Sequence, residues 1–335
     1  MALTPTVYKS TDPGAPALTG QTGSLRDVLR AVLVNGYGSG GDAKAGAGWT
    51  EVFSGTNVSA FRNSPITGTG GYLRVDDSST YAGSNARSAL MRTYEAMSDV
   101  DTGTGPSPTA AQVASGLLMP KSKTLDSTSR AWVVIANEGF FYLFTDPGST
   151  TSGWVNVAHV PMFCGDLVSR KPGDAYHFAL IAPEIAAISG LGTNIQSMFF
   201  GLVNTSTPPS TSGVFLLRDR LAASGAKRCG ISSLSDADQS NVLGAGGTYP
   251  DPVSGGLCME RIMVYEASRQ IRGFLPNVYG TTSGRPFADL SIRTDIEGVP
   301  VGTSILAKLF SQNIGAQASS AYNGQFLFDI TNAWG

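Results

Sequence analysis

One sharply bounded amphipathic helix stands near the start of a chain whose other regular segments read mostly as short strands, and that contrast confines the fold to a mainly β class. Ser24-Leu-Arg-Asp27 resembles a capping box with Asp in place of Glu, and Leu25, Val28, Leu29, Val32 and Leu33 recur at i, i+3, i+4, i+7 and i+8. Asn35-Gly36 ends the helix, because glycine adopts the left-handed cap conformation at no steric cost.

Ahead of the helix, residues 1–22 are rich in Pro, Thr and Gly, too polar to pack alone, and are expected to lie as an arm on a partner surface or back on their own domain. Behind it, residues 36–48 contain six glycines and read as a hinge or closely packed loop before Trp49. The segments Trp49–Phe53, Ser59–Arg62, Tyr72–Val75 and Ser88–Tyr94 then carry aromatic and β-branched residues between turn-forming clusters, a spacing that predicts antiparallel strands. Pro108–Ser115 is expected as a short helix. Ala131–Thr145 predicts a hairpin turning at Asn137-Glu-Gly139, with both strands heavily buried. The pattern continues through Trp154–Phe163, Tyr176–Ile181, Ser197–Val203, Gly213–Leu217 and Leu257–Glu266, and Ser235-Asp236-Ala-Asp238 reads as a helix cap. Ile271–Tyr279, Phe287–Ile292, Ser304–Phe310 and Gln325–Ile330 close the chain.

The expected fold is therefore an antiparallel β-sandwich-like body with one N-terminal amphipathic helix and a smaller C-terminal β-sandwich module. Three regions follow: 1–48 as arm, docking helix and glycine hinge; 49–270 as the large β-rich body; and 271–335 as the small module. Glycine, at 41 of 335 residues, suits many turns.

A formal charge of -2 with only 14% charged residues offers no overall basic field for nucleic acid or anionic lipid. No window reaches bilayer-spanning length, and no basic and apolar leader opens the chain, so synthesis in the cytosol is expected. Cys164, Cys229 and Cys258 are odd in number and without a CxxC, which indicates neither a disulfide framework nor a zinc site; three reduced, mostly buried thiols are expected, with a Cys229–Cys258 pair as the alternative.

Chemical motifs are sparse. Gly36-Tyr-Gly-Ser-Gly-Gly41 spells GxGxxG but follows a helix, whereas a dinucleotide fingerprint follows a strand and opens one. His159 and His177 stand among apolar neighbours without HExxH, and no GxSxG elbow accompanies the many serines. Asp76-Asp77 and Asp99-Val-Asp101-Thr-Gly103 cluster carboxylates; the second resembles the start of a calcium loop but lacks the later acidic ligand, so turn capping is expected ahead of a loose Ca²⁺ site. Glu95, Glu138, Glu184, Glu260 and Glu266 supply carboxylates for glycoside hydrolysis, yet sequence brings no two together. Trp49, Trp132, Trp154 and Trp334 read as core or interface anchors ahead of a sugar platform. No catalytic residue, cofactor or metal is expected.

Pro16–Gly38, Gly48-Trp-Thr50, Ala60-Phe-Arg62, Tyr72–Asp77, Ala86-Arg87 and Tyr94–Gly105, followed by Ala131–Ala136, Phe141–Phe144 and Phe163–Asp166, together resemble a family of tailed-bacteriophage virion structural proteins of tail or baseplate type. The resemblance covers roughly the first 220 residues. It implies location in the virion and supplies no catalytic residues. Glu297–Gly302, Ala307–Phe310 and Asn323–Thr331 resemble a transthyretin-like or carboxypeptidase-regulatory-like β-sandwich, a spacer type of module.

The expectation is a non-enzymatic tail-tip or baseplate component that self-associates and docks other virion proteins through its arm and through Leu25, Val28, Leu29, Val32, Leu33 and Trp49. The alternatives are a capsid decoration protein and an adhesin for a host receptor or surface glycan.

Overall fold

The computed structural model describes residues 4–81, 87–148, 160–182, 213–232, 249–257, 259–266, 270–281, 286–313 and 321–331. It is mainly β with one N-terminal helix, and the strand pairings among the described residues are antiparallel. Trp154, His159, Ser197–Val203, Glu184, the Ser235 cap, Cys258 and Trp334 lie outside the described residues.

Three sheets stack in layers, with a hydrophobic core on each side of the middle one. The middle sheet has seven strands in the order Thr6–Lys9, Trp132–Ala136, Phe140–Thr145, Val160–Asp166, Phe178–Ile181, Val214–Leu216 and Lys227–Arg228. Its central hairpin is apolar at nearly every position because both faces are covered. Val134, Phe141 and Leu143 face one core, while Val133, Tyr142 and Phe144 face the other. The hairpin expected over residues 131–145 forms as Trp132–Ala136 paired with Phe140–Thr145.

The first outer layer is five-stranded and runs in chain order through Thr50–Gly55, Val58–Arg62, Tyr72–Tyr81, Arg87–Tyr94 and Leu117–Ser122. Phe61, Leu73, Val75, Met91 and Met119 from it meet the helix and one face of the middle sheet. The second outer layer is ordered Gly230–Ser232, Met259–Glu266, Gln270–Thr281, Ala321–Asp329, Ile305–Asn313 and Ile292–Arg293, with Val168–Ser169 pairing alongside Gln270–Thr281. Its Ile262, Val264, Leu275, Phe326 and Phe328 close the other face. Tyr142 anchors that junction, its ring 4.9 Å from Phe328 and its hydroxyl donating to Pro276 O at 2.8 Å.

This layering moves the expected boundaries. The 48/49 boundary falls inside one core, since Tyr8, Leu18 and the helix share it with residues of the first two layers. The 270/271 boundary cuts the strand Gln270–Thr281, which pairs with Met259–Glu266. The expected C-terminal sandwich is one sheet whose packing partner is the middle sheet, and Leu257, Phe287 and Ile296 cover part of its outer face. Two local expectations also change. Pro108–Ser115 forms turns, with the Gln112 and Val113 N–H groups donating to Thr109 O. Of Phe287–Ile292, only the end joins the strand Ile292–Arg293.

The helix runs Ser24–Arg30 and continues as one wider turn over Ala31–Asn35, where the Gly36 N–H donates to Ala31 O at 2.7 Å. Its last carbonyls are satisfied by the glycine loop, as the Ala47 N–H donates to Val32 O and the Trp49 N–H to Leu33 O. That loop is closely packed: a Cβ on Gly46 would stand 2.2 Å from Val34 O. The arm lies back on its own chain. Thr6–Lys9 forms an edge strand against Trp132–Ala136, and Leu18 bridges to Arg130.

Candidate functional site

Leu25, Val28, Leu29, Val32 and Leu33 are fully buried, and Trp49 is nearly so. The apolar stripe expected as a docking face is turned into the chain's own core, because the first and middle sheets both need cover on that side. Trp49 meets Phe141 edge-on at 5.5 Å and donates its indole N–H to Asn137 O at 2.9 Å, an internal anchor. Trp132 is buried likewise and bonds Pro16 O in the arm.

The charged side chains that the fold gathers lie mostly between elements. The helix begins after Gly23 without a side-chain cap, and Ser24 donates to Thr19 O, so the expected capping box does not form. Asp77, 52 residues away in Tyr72–Tyr81, accepts the Leu25 N–H at 2.9 Å in its place. Its other oxygen takes the Lys121 ammonium, which also donates to Gln21 O and to Ser24 Oγ. Both partners are buried. Burial pushes the Asp77 carboxyl up and the Lys121 ammonium down, each opposed by the other's charge.

A second cluster ties the middle layer to the C-terminal one. Arg272 forms a two-pronged bond to Asp174, at 2.8 and 2.7 Å, and reaches Glu266 at 2.7 Å, with all three side chains buried. Burial raises the Asp174 carboxyl, but the Ser169 hydroxyl, the Tyr176 N–H and the Arg272 guanidinium outweigh it and hold the group below its ordinary value. The chain of contacts runs on: Arg218 lies 4.3 Å over the Tyr176 ring and pairs in a two-pronged way with Glu95, beside the first layer.

The third cluster fastens the loop 63–69. Asp166, in the Phe163–Asp166 motif, accepts Asn63 Nδ2, the Thr69 N–H and the Thr69 hydroxyl at 2.9, 3.0 and 2.5 Å. Burial raises its carboxyl against those bonds and the nearby His177. His177 Nδ1 itself meets Asp174 O, and Glu138 accepts the Thr67 hydroxyl. The fourth cluster holds the arm. Asp12 accepts Lys44, the Tyr37 hydroxyl and the Lys9 N–H, each at 2.7 Å. Burial would raise the Asp12 carboxyl; the Lys44 and Tyr37 bonds hold it below its usual range.

The Asp99–Asp101 turn is likewise engaged. Asp101 pairs with Arg74 at 2.5 Å, Arg74 also contacts Asp76, and Asp99 accepts the Val100 N–H. Among the described residues, no group of three or more His, Cys, Asp or Glu is placed to hold a metal ion. Of the expected carboxylate reserve, Glu95 and Glu266 each face an arginine and Glu138 faces Thr67, so these three are brought to separate partners and not to one another. Cys164 and Cys229 are buried. A small depression on the C-terminal layer is lined by Arg261, Phe274, Asn277, Tyr279 and Asp329, among others. It opens where Gln270–Thr281 bulges: Arg261 faces Tyr279 while Met263 faces Phe274, and Asn277 takes a positive φ of 55°.

Chemically, these clusters join distant segments by charge-assisted hydrogen bonds. Sequence reading missed Lys121, Asp166, Asp174 and Arg272. The available signal was a charged residue inside or beside an apolar strand, as Lys121 is in Leu117–Ser122, where every position is buried.

No family model and no curated protein sequence matches the chain.

Proposed function

We propose that this chain is a non-enzymatic structural component of a tailed-phage particle, placed at the tail tip or baseplate and assembled as a homo-oligomer. One observation carries the reading beyond the sequence resemblance: the gathered charges act as fasteners within the fold. Asp12, Asp77, Asp166 and Asp174 each bind fixed donors from other segments, which suits a part that keeps its shape under load. The three-layer body, with its arm strapped along one edge, supports the same reading.

Quantitative mass spectrometry of purified particles tests this. Copies in the range of a handful to a few dozen per particle are expected. Hundreds would move the assignment to capsid decoration, and absence from the particle would overturn it.

A further inference from the structure

The strands that end the three sheets are guarded in different ways. Lys227–Arg228, Gly230–Ser232 and Ile292–Arg293 are only two or three residues long, Thr50–Gly55 shifts register between Glu51 and Phe53, and Leu117–Ser122 is buried along its length. The arm strand Thr6–Lys9 has none of these safeguards. It pairs with Trp132–Ala136 in unbroken register over four residues, and among the described residues no strand lies on its other side.

The ladder fixes which of its backbone groups point outward. The Ser10 N–H donates to Trp132 O at 2.9 Å, so by the two-residue period Tyr8 and Thr6 turn their N–H and C=O groups into the sheet, while Val7 and Lys9 turn theirs away. The outward groups are consumed locally. Lys44 Nζ donates to Val7 O at 2.6 Å, the Lys9 N–H donates to Asp12 Oδ2 at 2.7 Å, and Lys9 O accepts the Asp12 N–H at 3.0 Å. The same Asp12 oxygen accepts Lys44 Nζ and the Tyr37 hydroxyl, which ties the two covering groups together. The glycine-rich run 36–41 makes this possible: Gly36 and Gly38 take positive φ of 75° and 83°, and the chain folds back until Tyr37 and Lys44 bond each other's backbone at 2.9 and 2.8 Å. Both side chains thereby reach Asp12 from one loop.

We infer that the cluster of Asp12, Tyr37 and Lys44 is an autoinhibitory seal, which keeps the arm strand from pairing edge to edge with a second copy of this chain. A second copy is the partner because the covered edge matches itself. About a two-fold axis through Tyr8, Val7 of one copy stands opposite Lys9 of the other, and each pair exchanges both N–H to O bonds. The seal occupies Val7 O and the Lys9 N–H, half of the groups that this pairing needs, and it places the Lys44 ammonium at the edge of both copies. The inference concerns the isolated chain and stands apart from the chain's place in a particle.

The test compares the full chain with Asp12→Ala/Lys44→Met, and with that pair plus Val7→Pro, by sedimentation velocity over a range of concentrations and by residue-resolved amide hydrogen exchange. The double change removes both charges together, and methionine keeps the apolar stem of Lys44. The double variant is expected to associate at concentrations at least about tenfold below any at which the wild type does, and exchange at Val7 and Lys9 should slow at least about tenfold as it associates. Val7→Pro removes an outward donor without touching the ladder to Trp132–Ala136, so association should return to the wild-type level. Circular dichroism checks that the variants fold, and the exchange pattern of the double variant decides the matter even where the proline variant does not. No added association in the double variant, association that survives Val7→Pro in a folded chain, or faster exchange at Thr6 and Tyr8 from an arm that has peeled away would overturn the inference.

Discussion

The Asp77 carboxylate meets two needs at once: it accepts the Leu25 N–H that opens the helix, and it neutralises Lys121 inside the core. Lys121→Met would leave that carboxylate buried without its cation, a loss on the order of 3–5 kcal/mol in urea unfolding. Adding Asp77→Asn should recover part of the loss, because the amide oxygen still accepts the Leu25 N–H without carrying charge; a double variant no more stable than the single would contradict this. Arg272 makes a pH prediction. Folded Asp174 titrates below its ordinary value, so on acidification the unfolded chain binds the proton first. The stability that Asp174 contributes is present above about pH 4 and is lost as pH falls through the folded value. Arg272→Met removes the main cation, so the gap in unfolding free energy between wild type and variant should narrow from pH 6 towards pH 3. Asp77 and Asp166, raised by burial, act in the opposite sense in both proteins and cancel in that difference.

Among the elements, the arm takes the second of its two expected placements, back on its own chain. Its strand pairs residues 6–9 with 133–136, and Tyr8 is buried with its hydroxyl donating to Ala45 O at 2.8 Å. Tyr8→Ala should therefore cost about 3–5 kcal/mol, as for other large core truncations, and Tyr8→Phe about 1 kcal/mol, both measured by chemical unfolding. Gly46→Ala forces a methyl against Val34 O and should cost at least about 1–3 kcal/mol; an unchanged midpoint would mean that the loop is looser than the structure has it. The helix was legible because Leu25, Val28, Leu29, Val32 and Leu33 repeat locally, and so was the hairpin, whose turn lies between its own strands. The arm was not, since its strand partner is more than 100 residues away. The helix cap was hidden for the same reason: Ser24 and Asp27 offered a local solution, and Asp77 supplies a distant one.

At the scale of the whole molecule, the middle sheet is an interior layer, which explains the apolar runs Val133–Ala136 and Phe140–Phe144 and also limits what their pattern reveals. A run buried on both faces lacks the alternation that assigns a residue to one core or the other, so the place of this sheet between two outer layers was not legible from sequence. The fasteners were illegible for a related reason: Arg272 and Asp174 are 98 residues apart, and only the stacking of two layers brings them together. A chain ended after Cys229 would uncover Ile135, Tyr142, Phe163 and Leu216, so it should bind a hydrophobic dye more strongly than the full chain. The central claim concerns where this body sits. Cryo-electron microscopy of the intact tail gives the most direct test: the account predicts symmetry-related copies of the three-layer density at the tail tip or baseplate, and density for this chain confined to the head, or absent from the particle, would contradict it.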